Sequence, residues 1–123
     1  MDGLRPAHLD DIDDLMALRV LMFQAMGTPT PVLEEEAWRH AAREWFGTRI
    51  EDSNTRIVVI EESGQIVAGG LAEVLPGIPA PSMPHGRLGF VSNVATLPDA
   101  RGRGLGRTVM TELVRWLDQE TDA

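Results

Sequence analysis

Between Pro98 and Val109 the chain reads PDARGRGLGRTV, which puts Arg101, Arg103 and Arg107 among Gly102, Gly104 and Gly106, just ahead of an apolar helical pattern. The first N–H groups of a helix have no internal partner, and the helix dipole adds partial positive charge there. An anion suits such an end. Acidic side chains ordinarily fill a first helical turn, as Asp11, Asp13 and Asp14 do earlier in this chain. Arginines in that place are unfavourable by roughly 0.3–1 kcal/mol, a cost that an anionic ligand removes. Gly104 and Gly106 have no Cβ, so phosphate oxygens can come close to their amides. The segment 102–107 is therefore expected to wrap a phosphate or pyrophosphate. A P-loop is excluded because it needs a Gly-Lys-Ser/Thr run and the chain has no lysine. A dinucleotide fingerprint needs GxGxxG after the first strand of a βαβ unit, whereas here the spacing is GxGxG and comes late.

The elements that must position this loop follow from periodicity and punctuation. GLRP (3–6) reads as a short strand. Asp10 caps a helix from about Asp11 to Met26, with Ile12, Leu15, Leu18, Met22 and Met26 at helical spacing and Gly27 as its stop. After GTPTP, Thr30 and Pro31 start a second helix that runs to about Phe46, with Leu33, Ala37, Ala41 and Trp45 on one face and Trp38 beside them. TRIVVIEE (55–62) and QIVAGGLAEVL (65–75) read as two strands joined by Ser63-Gly64, a hairpin. PGIPAPSMPHG (76–86) holds four prolines and is a loop. RLGFVSNVAT (87–96) is a third strand of this run, where Ser92 and Asn93 either form a bulge or merely vary the strand. A last helix from about Gly104 to Gln119 buries Leu105, Val109, Leu113 and Leu117. The order β-α-α-β-β-β-α predicts an α+β fold with a mixed, mainly antiparallel sheet flanked by helices, organised as one domain over 1–123.

Composition narrows the function classes. The 123 residues suit one domain, and a hydrophobic fraction of 43% is ordinary for a globular one. The absence of cysteine removes disulfides, zinc–thiolate sites and a cysteine nucleophile. The absence of lysine and tyrosine removes Schiff-base chemistry and a phenolic acid. A formal net charge of −8 argues against nucleic acid as a partner. The N-terminus MDGLRPAHLDDIDD lacks the pattern of a signal peptide, and no apolar run is long enough for a membrane span, so a cytoplasmic location is expected. His8 and His40 have no ligand spacing, and DDIDD (10–14) reads as an acidic first turn, so no metal is expected. Glu34, Glu35 and Glu36 read as a solvated face, and the three tryptophans as core.

Arg101-Gly102-Arg103-Gly104-Leu105-Gly106 matches the R/Q-x-x-G-x-G/A motif of the GCN5-related N-acetyltransferases, and VATLPDARGRGLG resembles that family's strand, proline, phosphate loop and helix in order. The likeness spans about residues 2–119. It implies acetyl transfer from acetyl-CoA to an amine. It also implies that the amides of 102–107, with the side chains of Arg101, Arg103 and Arg107, hold the pyrophosphate around Gly102, Gly104, Leu105 and Gly106. Val94, Ala95 and Thr96 fall where the family's strand pairs its backbone with the pantetheine arm and polarises the thioester carbonyl, a task that suits a fixed N–H donor.

The chain departs from that pattern in two ways. The family continues beyond this helix with a strand, a helix and two more strands, so 87–96 is expected to be an exposed edge, completed either by more of a longer protein or by a second copy in a homodimer. The family's frequent tyrosine acid has no counterpart here, and strand 87–96 holds no acidic residue. Glu73 on the neighbouring strand is the first candidate to accept the amine's proton, and His85 in the proline-rich loop is the second. Besides the enzyme, two readings stay open: a non-catalytic CoA-binding module, and a fragment that binds only when another chain completes it. The acidic chain favours an acceptor of cationic character.

Overall fold

A computed structural model describes residues 3–123, so that Met1 and Asp2, at the start of the N-terminal reading, lie outside it. Strands β1 (Leu4–Pro6), β2 (Thr55–Glu62), β3 (Gln65–Pro76) and β4 (Arg87–Thr96) form one sheet in the order β1-β2-β3-β4. All three pairings are antiparallel, so no parallel pair occurs among the described residues. β2 and β3 are joined by Ser63 and Gly64, both at positive φ, the backbone that a two-residue hairpin turn requires. Helix α1 (Ile12–Ala25) follows a 3-10 turn over Leu9–Asp11, and a second 3-10 turn at Pro98–Ala100 leads from β4 toward helix α4 (Leu105–Glu120). No helix among the described residues is long and apolar enough to cross a membrane.

The expected second helix is two helices. A single turn, α2 (Thr30–Leu33), ends at Glu34, and α3 (Glu36–Arg49) starts afresh and runs through Gly47. The restart changes the helix phase. Ala37 and Ala41 face outward, while Trp38, Ala42, Trp45 and Phe46 face the sheet. An isolated glycine costs a helix only about 1 kcal/mol, less than the packing of its neighbours contributes, so Gly47 does not end this one.

β2 is covered on both faces, and its residues sort by period 2. Val58 and Ile60 pack under α4 with Val109, Leu113 and Trp116. Ile57 and Val59 pack against Leu15, Leu18 and Phe46 of the other helical layer. α4 comes very close to the sheet at Gly70, where a Cβ would sit 2.8 Å from Val109 Cγ1 and 3.0 Å from Val94 Cγ2. At the N-terminal end, Arg5 donates to Asp11 at 2.8 and 3.1 Å and to Glu61 at 3.0 and 2.8 Å, tying β1 to the start of α1 and to β2.

Two stability outcomes follow. Leu113→Ala empties a fully buried site and should cost about 2–5 kcal/mol in urea unfolding. The hydrogen bond from Arg5 holds the Asp11 carboxyl below the usual aspartate range, against the opposing effect of burial. A depressed folded-state value stabilises the fold above the unfolded value, roughly pH 4, and that contribution disappears as pH falls through the folded value. Asp11→Asn should therefore lower stability by about 1–3 kcal/mol at neutral pH, and the difference from the parent should shrink in melts below roughly pH 4.

Candidate active site

β4 does not pair evenly with β3. Gly69 faces Ala95 and Leu71 faces Ser92, so Asn93 and Val94 together oppose Gly70. This is a β-bulge, at the place where the sequence left one open. Asn93 adopts φ +57°, a left-handed conformation that asparagine tolerates better than most residues. Its side-chain Oδ1 accepts a 2.5 Å hydrogen bond from the Arg19 guanidinium of α1.

Three hollows lie near this bulge, between the sheet and helices α1 and α3. A groove of about 410 Å³ is lined by Leu21, Met22, Ala25 and Met26 of α1, by Val94, Ala95 and Thr96 at the end of β4, and by Arg101 and Gly106. A narrow crevice under Met22 and Arg19 reaches Gly69, Gly70 and Asn93. Beyond it opens a pocket of about 410 Å³ with Arg19, Asn93, Glu73, Leu71, Trp38, Trp45 and Phe46 in its wall. The apolar stripe expected on α1 thus splits. Leu15 and Leu18 enter the core, whereas Met22 and Met26 line the hollows, and Met26 stays 70% exposed. Trp38 and Trp45 are half-buried pocket wall and only Trp116 is core.

The glycine-rich segment turns sharply into α4. Gly102 and Gly104 have φ +81° and +80°, and a Cβ on either would meet no atom within 4 Å. Glycine is therefore required for backbone conformation, and the space above these residues is open. The first helical bond runs from Thr108 N–H to the Gly104 carbonyl at 3.0 Å, which leaves the Leu105, Gly106 and Arg107 N–H groups without an intrahelical acceptor.

The three arginines of this loop have different surroundings. Arg101 bends back so that its Nε donates to the Thr96 carbonyl at 3.2 Å, at the mouth of the groove. Arg103 makes a two-pronged bond to Glu62 at 2.9 and 2.6 Å, which holds the Glu62 carboxyl below its ordinary range. Arg107 is exposed and, like Arg101, forms no ion pair among the described residues.

The two candidate proton acceptors lie apart. Glu73 sits in the pocket wall, 16% exposed, with Oε2 3.5 Å from an Arg49 guanidinium nitrogen. His85 is exposed in the proline-rich loop, where its Nδ1 accepts the Arg87 N–H at 2.9 Å, and it does not line the pocket. Glu34, Glu35 and Glu36 are exposed and lie outside the pocket wall, as a solvated face should. No group of acidic or histidine side chains arranged to hold a metal occurs among the described residues. Arg19 was not singled out from the sequence. Its position on the half-apolar side of α1 gives no local signal, and Asn93, to which it bonds, is 74 residues away.

Solved structures of the same shape are available for comparison. A GCN5-related N-acetyltransferase from Ralstonia eutropha JMP134 is 28% identical, with a TM-score of 0.83 over 95% of this chain and 76% of that one. A predicted acetyltransferase from Clostridium acetobutylicum, solved with acetyl-CoA, is 22% identical, with a TM-score of 0.85 over 98% and 75% of the two chains. Glucosamine-6-phosphate N-acetyltransferase from Arabidopsis thaliana shares the fold at 21% identity, with a TM-score of 0.66 over 95% and 74%. A search of curated proteins returned no match. The family model described as acetyltransferase (GNAT) matches residues 14–123, from the first turn of α1 through α4, and so the chain belongs to the GNAT acetyltransferase family.

Proposed function

We propose that the protein binds acetyl-CoA and transfers its acetyl group to an amine by direct attack on the thioester. The observation that carries this reading is the placement of two hollows beside one bulge. Val94 lines the groove and its neighbour Asn93 lines the pocket, so two substrates, one in each, would approach each other at the bulge. Such juxtaposition supplies much of the acceleration in a two-substrate reaction.

The residues of the groove suit acetyl-CoA. Its walls are apolar along α1, where Leu21 and Met22 can cover a pantetheine chain. Val94, Ala95 and Thr96 lie on the outer strand of the sheet, and a strand edge can pair with an extended amide-bearing arm. The Leu105, Gly106 and Arg107 amides and the Arg101 and Arg107 guanidiniums supply donors and charge for a pyrophosphate, and the space above Gly102 and Gly104 leaves room for it. Arg103 contributes its backbone to this cradle while its side chain pairs with Glu62.

In the reaction, the amine nitrogen bonds to the thioester carbon and the carbon–sulfur bond breaks. A β4 backbone N–H faces the carbonyl oxygen as it gains charge. Glu73 takes the proton the amine loses, directly or through a water, and the departing thiolate takes up a proton as the thiol. The same reading includes a cytoplasmic enzyme and a homodimer. Support for the dimer comes from β4, an edge strand with Leu88 and Phe90 exposed beside it.

Calorimetry with acetyl-CoA is the first test. Saturable binding is expected, and its loss is expected for Gly104→Val, which imposes a side chain on a φ of +80°. That substitution should also cost about 1–2 kcal/mol in unfolding, so binding is compared under conditions where circular dichroism shows both proteins folded. Equal affinity for the variant would remove the loop from the site. Glu73→Gln should lower kcat by about 10²–10⁴ while acetyl-CoA affinity is retained. A kcat within a factor of about 2 of the parent would rule out Glu73 as the base. Acetyl-CoA binding without turnover of any amine would favour the binding-module reading.

A further inference from the structure

Resting on the acetyltransferase reading, we propose that the acceptor is a bulky α-amino acid with a free carboxylate, which Arg19 binds while Trp38 and Trp45 flank its side chain. Arg19 becomes the residue that sets specificity.

The charge in the pocket argues against the cationic acceptor that the overall composition favours. Glu73 is the one carboxylate in the pocket wall, and Arg49 is already paired with it. Arg19 forms no ion pair among the described residues. Its partners are neutral: the Asn93 amide oxygen at 2.5 Å and the Phe23 ring, 4.9 Å from the guanidinium carbon. Burial pulls its pKa downward, the mark of a cation stripped of water and given no anion. A guanidinium offers five donors in a planar fork, and only one is engaged by a side-chain acceptor here. A carboxylate fits the remainder in two-pronged fashion. The wall of the pocket therefore carries a spare positive charge, although the chain as a whole is at −8.

Position then constrains the rest of the ligand. Arg19 and Asn93 line both the pocket and the narrow crevice, next to Val94 at the end of the groove. A carboxylate on Arg19 lies near the bulge where the amine attacks, which suits an acceptor that carries amine and carboxylate close together, as on one carbon. The remaining substituent of that carbon points into about 410 Å³ bounded by Trp38, Trp45, Phe46 and Leu71. An aromatic or branched apolar side chain fills such a space, whereas a polyamine would leave it wet and bring more positive charge beside Arg19.

The test uses the intact chain. Acetyl-CoA binding is measured first by calorimetry. Turnover is then followed by thiol release with a disulfide reagent, which the cysteine-free protein itself does not consume. L-phenylalanine, phenylalaninamide, 2-phenylethylamine and spermidine are compared, and L-phenylalanine binding is followed separately by tryptophan fluorescence. The expected kcat/KM for L-phenylalanine is at least about 10-fold above that for each of the other three. Arg19→Leu should raise the KM for L-phenylalanine about 10–100-fold, the effect of losing a charge-assisted pair, with a much smaller change in kcat. Arg19→Lys should restore part of the loss, and the KM for phenylalaninamide should move far less than that for the acid. Equal or better turnover of phenylalaninamide, 2-phenylethylamine or spermidine would overturn the inference and leave the acetyltransferase reading intact. So would equal damage to all acceptors by Arg19→Leu. Turnover of other amines with neither turnover nor binding of L-phenylalanine would overturn it in the same way. A protein that fails to bind acetyl-CoA would overturn both.

Discussion

At Gly70 the ladder between β3 and β4 accommodates two residues opposite one, and much of the molecule depends on that single mismatch. The missing side chain at Gly70 lets Val109 and Leu113 of α4 settle against the sheet, within the distance a Cβ would occupy. The extra residue across from it bends β4 and sets Asn93 in a left-handed conformation, from which its side chain meets Arg19. One face of the mismatch therefore seats the helix whose first turn carries the glycine-rich loop. The other opens the hollow between the sheet and α1.

Charge is arranged locally and not by the total. The acidic side chains that dominate the net charge are mostly exposed among the described residues, where water screens them. Several arginines are tied down: Arg5 to Asp11 and Glu61, Arg115 to Glu112 and Glu120, Arg103 to Glu62. Arg19 in the pocket wall, Arg101 at the groove and Arg107 in the first turn of α4 are among those that form no ion pair among the described residues. An acidic protein thereby carries local positive charge beside the groove and the start of α4.

The aromatic residues serve two purposes according to depth. Trp116 fills the core beneath α4, while Trp38 and Trp45 stand half-buried at the pocket, each against a phenylalanine at 5.7 and 5.5 Å between ring centroids. Edge-to-face contacts of this kind fix ring orientation without closing the surface. The turn at Glu34 and Glu35 makes this possible, because the helix that restarts at Glu36 is rotated to bring Trp38, Ala42 and Trp45 round to the sheet.

The sequence by itself determined the features whose causes lie within a few residues. These are the Ser63-Gly64 hairpin, the period-2 strands around it, the stop at Gly27, the proline-rich loop, and a glycine-rich start to α4 suited to an anion. Backbone sterics and side-chain periodicity act over that range, so they can be read from a single chain. Glu73 was legible as a candidate because only it offered a carboxylate on the right strand. The break in the second helix was not legible, since a good helical pattern continues across Glu34. Nor was the role of Arg19, or the different surroundings of Arg101, Arg103 and Arg107. Tertiary structure alone decided these, because an arginine's partner is chosen by which distant carboxylate, amide or ring the folded sheet brings within reach, and Arg19 and Asn93 meet only after 74 residues of chain have been packed between them.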